Sequence, residues 1–194
     1  MGRARPHPTT GRREIGRSRE HQEQWAGSSG GPAPRHLGHR TIAHLAGPMD
    51  GFEARERVEG WRESLAEAGL PEGPLVVGDW TSDLGYAFGR SFDLGETTAV
   101  FAANDQTALG VLHGVHGRGI RVPDDISLVG FDDLSDARHF LPPLTTVRQD
   151  FSAVGASALR QIIAAIEGDA TPRHDMIPPE LIVRGSTKAP QSRR

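Results

Sequence analysis

From Thr41 onward the sequence predicts an α/β fold, a parallel sheet with helices on both faces. Three observations predict it. Short apolar runs alternate with longer amphipathic stretches, the runs have strand length and the stretches helix length, and the strand-then-helix order repeats along the chain. A parallel sheet absorbs that order through crossover connections over its faces.

Element by element, Ile42 to Ala46 reads as a buried strand. Asp50, with Glu53 three residues later, has the form of a capping box that opens a helix. Along that helix Val58, Trp61 and Leu65 share one face, and Gly69 supplies a left-handed stop. Leu75 to Val77 is the next strand, Ser82 to Phe92 a helix, Thr98 to Ala102 a strand and Asp105 to Arg118 a helix. Ile126 to Phe131 is a further strand. After a Pro-containing loop, Thr145 to Arg148 reads as a strand, Phe151 to Glu167 as a helix, and Glu180 to Arg184 as a last strand before a polar tail.

The 194 residues suffice for one sizeable core. A net charge of -3 with 36% hydrophobic residues describes an ordinary protein without the positive excess that nucleic acid attracts. No cysteine is present, which excludes disulfides, thiolate metal sites and cysteine nucleophiles and suits a cytoplasmic location. No apolar run approaches the roughly 18 residues that cross a bilayer, so no membrane partner is expected. Residues 1 to 40 differ from the rest: they hold eight arginines against three glutamates and few large apolar side chains beyond Ile15, Trp25 and Leu37. Such a segment cannot build a core. It lacks the aromatic or apolar positions of a folded DNA-reading module, so residues 1–37 are expected to be a disordered or non-native basic leader.

In an open parallel sheet, ligands bind beyond the carboxyl ends of the strands. Gly47 and Pro48 follow the first strand and open the helix bearing Arg55 and Arg57; Asp79 and Trp80 follow the second, Asn104 and Asp105 the third, Asp132 and Asp133 the fourth. A planar aromatic, a guanidinium, an amide and carboxylates suit a sugar, whose ring has an apolar face and whose hydroxyls take bidentate bonds. Each residue also has a plainer role. Asn104 or Asp105 can simply cap the next helix, Asp133 can form a turn, Trp61 belongs to the core, and Arg55 faces water or a neighbouring glutamate. Convergence on one crevice is what favours a site.

Catalytic signatures are poor, and no enzyme activity or cofactor is expected. Gly114, Gly117 and Gly119 do not lie between a strand and the next helix, so the dinucleotide fingerprint fails. The serines near Gly27 to Gly30 and at Ser157 make no nucleophile elbow. His36, His39 and His44 lack carboxylate or cysteine partners at ligand spacing, so no metal is expected.

Six stretches then resemble one family: GHRTIAHLAGP (38–48), RVEGW (57–61), GDW (78–80), ANDQTALG (103–110), IRVPDDISLVGFDD (120–133) and PPLTTVRQD (142–150). In order and spacing they are similar to the effector domain of the lactose and galactose repressor family of transcription regulators, over about Gly38 to Thr187. The resemblance implies a periplasmic-binding-protein-like fold in a homodimeric regulator, whose two lobes close on a small sugar or glycoside and so alter the hold on operator DNA. Carried over, Arg57 holds sugar hydroxyls, Trp80 stacks on the ring, Asn104 and Asp132 hydrogen-bond it, and Gln149 with Phe151 sits at the crossing between lobes. The GDW stretch points toward a galactoside-like ligand. Asp136, Phe140 and Leu141, in an exposed-looking segment, match a region used for dimer contacts.

Departures from the family pattern carry further expectations. A helix-turn-helix, a hinge helix and most of the first lobe would precede Gly38, where thirty-seven residues stand. The chain is therefore expected to be one lobe plus a partial second lobe at 38–187, with a polar tail at 188–194 and with operator DNA reachable only through a missing helix-turn-helix. The helix from Phe151 would lose partner surface for Val154, Leu159, Ile162 and Ile163, exposing an apolar patch. The rival readings are an exported sugar-binding protein of a transport system and a doubly wound enzyme.

Overall fold

The computed structural model describes residues 37–168 and 177–190. The expected leader, apart from Leu37, lies outside the described residues, as do His36 and the end of the polar tail. Six strands form one sheet: β1 (Ile42–Ala46), β2 (Leu75–Val77), β3 (Ala99–Ala102), β4 (Ser127–Asp132), β5 (Thr145–Arg148) and β6 (Glu180–Ile182). Their spatial order is β2-β1-β3-β4-β5-β6. The first five are parallel, with Ile42 opposite Ala99 and Val129 opposite Thr145, while β6 returns antiparallel to β5. The sheet is thus mixed at one edge, a departure from the all-parallel expectation, and β6 ends two residues earlier than predicted.

Both faces of the central strands are covered, which is why their sequences are continuously apolar rather than alternating. Ile42, Ala99, Phe101, Val129 and Phe131 point to one side, where α1 (Phe52–Glu67) lays Trp61 and Leu65 on them. Ala43, Leu45, Val100, Ala102 and Leu128 point to the other, under Phe88 of α2 (Ser82–Ser91) and Val111 and Val115 of α3 (Asp105–His116). The two helices on that side approach at backbone distance. A Cβ at Gly110 would lie 1.9 Å from the Ser82 carbonyl oxygen, and one at Gly85 2.0 Å from that of Thr107.

Helix α1 does not open with the expected capping box. Its N-cap is Gly51, in extended conformation and without a side-chain cap bond. Arg55 Nη1 instead donates to the carbonyls of Met49 and Asp50 at 3.0 Å each, tying the preceding turn to the helix. The last helix, α4 (Phe151–Ile166), buries only Ser157. Its Phe151, Val154, Leu159, Ile162, Ile163 and Ile166 are all exposed, so the expected apolar patch is present and extends further than predicted.

Candidate functional site

The carboxyl ends of β1 to β4 bring four of the predicted side chains into a linked set. Gly47, just past β1, is the floor for Trp80: a Cβ there would fall 2.4 Å from the indole ring. Asn104, just past β3, is buried and has extended backbone. Its Oδ1 accepts the Thr107 N–H at 2.8 Å, capping α3, and its Nδ2 donates to the Trp80 carbonyl at 2.9 Å. The cap role and the position beside Trp80 therefore coexist, and one amide N–H is left over.

Arg57 reaches in from α1. Its guanidinium carbon lies 4.2 Å from the Phe131 ring centroid and 5.3 Å from that of Trp80, a cation over two aromatic faces. Its Nη2 stands 3.6 Å from Asp132 Oδ1, and Gln149 Nε2 donates to the same oxygen at 3.4 Å. Those separations are too long for strong hydrogen bonds. Burial is the main influence on both ions: it pushes the Asp132 carboxyl up against the opposing pull of Arg57 and Gln149, and it pushes Arg57 down against Asp132 and Glu53. A half-desolvated ion pair with loosely engaged donors and acceptors retains bonding capacity for a polar guest.

Beside this set lies a cleft of about 630 Å³, lined by Asp132, Asp133, Gln149, Phe151, Ile177 and Glu180 among others. Asp132 belongs to both the cleft and the linked set, and Gln149, which donates to it, lines the cleft. Phe151, the first residue of α4, is exposed at the cleft, while Arg57, Trp80 and Asn104 stand outside its lining.

Several residues play parts that the sequence reading missed. Asp105 is fully buried; its Oδ1 accepts the Thr146 hydroxyl at 2.6 Å and its Oδ2 the Leu134 N–H at 2.8 Å. Burial outweighs those bonds and pushes its carboxyl up to about 6. Asp133 is more than a turn former: Arg184 and Arg148 hold its two oxygens at 2.6 and 2.7 Å. Burial would raise the Asp133 carboxyl, but the two arginines prevail and hold it below the ordinary range. Phe131 is the aromatic backing of Arg57.

His39 and His44 are structural. His39 bonds Thr98 Oγ1 and the Lys188 carbonyl, each at 2.9 Å, and His44 stacks on Phe101 at 4.6 Å with Nδ1 3.0 Å from the Phe101 carbonyl. Among the described residues no group of three or more His, Asp or Glu side chains is placed to hold a metal ion. Of the segment matched to dimer contacts, Asp136 is exposed and Leu141 is 90% exposed. Phe140, expected to be exposed, is instead half-buried and packs against the core between sheet, α2 and α3, because the turn at Ala137 folds it inward.

Strand order, crossover helices and a strand-end crevice together define a periplasmic-binding-protein-like α/β lobe. Residues 35–187 match the periplasmic binding protein-like domain family, and the chain belongs to it. It is 36% identical over 159 residues to the lactose operon repressor of Escherichia coli (strain K12), an alignment covering 80% of this chain and 44% of that protein. The Lac repressor dimer bound to operator and the anti-inducer ONPF superposes with a TM-score of 0.75 at 36% identity, over 80% of this chain and 55% of that one. The transcriptional regulator CelR in complex with cellobiose gives 0.72 at 37% identity, over 79% and 50%. The chain spans less than half the length of the lactose operon repressor. These relatives are transcriptional regulators rather than enzymes. No described helix is long and apolar enough to cross a membrane.

Proposed function

We propose that this chain carries the sugar-sensing part of a cytoplasmic transcriptional regulator of the lactose-repressor type. One observation carries the reading: Arg57, held over Phe131 and Trp80, faces Asp132 at the exit of β4 with long, unsaturated contacts. A small sugar or glycoside would stack its apolar face on Trp80. Its hydroxyls would bond Arg57, Asp132 and the free N–H of Asn104, with Gln149 and Phe151 beside it at the cleft. No reaction, cofactor or metal belongs to this proposal. Dimer contacts would involve the segment of Asp136, Phe140 and Leu141, in which Leu141 offers the exposed apolar side chain. Operator DNA is a partner only of an assembly that includes a DNA-reading head. The identity of the relatives as regulators supports this reading over an exported transport protein.

Thermal unfolding of the 194-residue chain with lactose, galactose, cellobiose and glucose tests it. A sugar at a hundred times its dissociation constant adds roughly 2.7 kcal/mol to the folded state, a clear rise in midpoint. Asp132→Asn and Trp80→Ala are expected to abolish the rise. A midpoint unmoved by every sugar in the panel, with the chain folded, would overturn the reading.

A further inference from the structure

The chain at the end of β4 is bent into a conformation that L-residues rarely adopt. Asp132 has φ 101° and Asp133 φ 52°, neither of them glycine. Such backbone is strained and persists only where its surroundings over-determine it. Here the surroundings act from three directions. The Asp133 carboxylate, 4% exposed, is gripped by Arg184 Nη2 at 2.6 Å and Arg148 Nη2 at 2.7 Å. Its N–H points to Thr146 Oγ1 at 3.4 Å, and Thr146 in turn donates to Asp105. The Leu134 N–H ends on the other Asp105 oxygen at 2.8 Å.

Arg184 is itself held in place. Its Nη1 donates to the Leu144 carbonyl at 2.8 Å and its backbone N–H to Thr145 Oγ1 at 2.9 Å. Standing just beyond β6 and tied to Leu144 and Thr145 at the start of β5, it is a fixed post from which the turn after β4 is suspended. The turn's product is the placement of the Asp132 carboxylate against Arg57 and Gln149.

We propose that Arg184, with Arg148, is a positioning residue: its grip on Asp133 holds the turn that aims Asp132 at Arg57. Neither arginine is in the linked set of Arg57, Trp80, Asn104 and Asp132. The bearing on ligand affinity rests on the sugar-sensing reading above; the aim of Asp132 does not.

Site-resolved carboxyl NMR titration of Asp132 in the intact chain separates positioning from simple charge. Asp133→Ala removes a neighbouring negative charge, which through space alone would lower the Asp132 titration point; loss of aim at Arg57 raises it. The double variant Asp133→Ala with Arg184→Met removes both charges, leaves no buried cation unpaired and keeps the fold testable if the single variant unfolds. We expect a rise of roughly one pH unit in both variants, and at least a tenfold weakening of whichever of lactose or cellobiose binds the wild type. A rise with neither sugar bound by the wild type would support the positioning role while counting against the sugar reading. An Asp132 titration that falls or stays put in the folded double variant overturns the proposal.

Discussion

Asn104 joins two elements with one amide, accepting the Thr107 N–H at the start of α3 and donating to the carbonyl of Trp80. The first bond satisfies an orphan donor of the helix, and the second holds the backbone that carries the indole. Asn104→Ala removes both and should cost about 1–2 kcal/mol in urea unfolding. Asn104→Ser can still cap. It should recover most of that stability, yet leave the Trp80 fluorescence as altered as in the alanine variant, because serine is too short to reach the carbonyl. Equal fluorescence in wild type and Asn104→Ser would show that the amide does not hold Trp80.

Helices α1 and α4 are each sixteen residues long, and they differ in what covers them. On α1, Ala54, Val58, Trp61 and Leu65 recur at helical spacing and are all buried on the sheet, so truncating one opens a cavity. Leu65→Ala is expected to cost 2–5 kcal/mol, roughly the range for a buried leucine. On α4 the large apolar side chains are in water, Ile166 at 80% exposure and Ile162 at 57%. Ile162→Lys and Ile166→Glu should therefore leave unfolding free energy within about 0.5 kcal/mol of wild type and lower the binding of an apolar dye. A loss comparable to that of Leu65→Ala would mean that α4 is covered in solution. The apolar period marked both helices in the sequence, but a period states only that a face wants cover. Helix starts were harder to read, since Asp50 and Glu53 have cap chemistry while the turn places Gly51 at the N-cap. The three residues of β6 carry no signal of direction, so its antiparallel return was invisible.

At the scale of the whole molecule, the parallel strands were legible because burial on two faces demands unbroken apolar runs, and the crevice was legible because the polar residues beside it directly follow those runs. Asp105 and Arg184 were not, because their roles arise from partners far along the chain: 29 and 41 residues for Asp105 with Leu134 and Thr146, 51 for Arg184 with Asp133. The same long-range burial gives stability two opposing pH dependences. His44, fully buried against Phe101, is pushed down to about 4, chiefly by burial, and Asp105 is pushed up to about 6 for the same reason. A depressed histidine binds fewer protons folded than unfolded, so its contribution is present above its ordinary value near 6.5 and is lost as pH falls toward 4. A raised carboxyl binds more protons folded, so its contribution is present below its ordinary value near 3.8 and is lost as pH rises toward 6. Between about pH 4 and 6 the two slopes oppose each other, each spanning roughly 3 kcal/mol at most. Urea unfolding across this range should show wild type gaining on His44→Leu as pH rises and losing ground to Asp105→Asn. A difference that stayed flat across this range would mean that the group concerned titrates in the folded protein as it does in the unfolded chain.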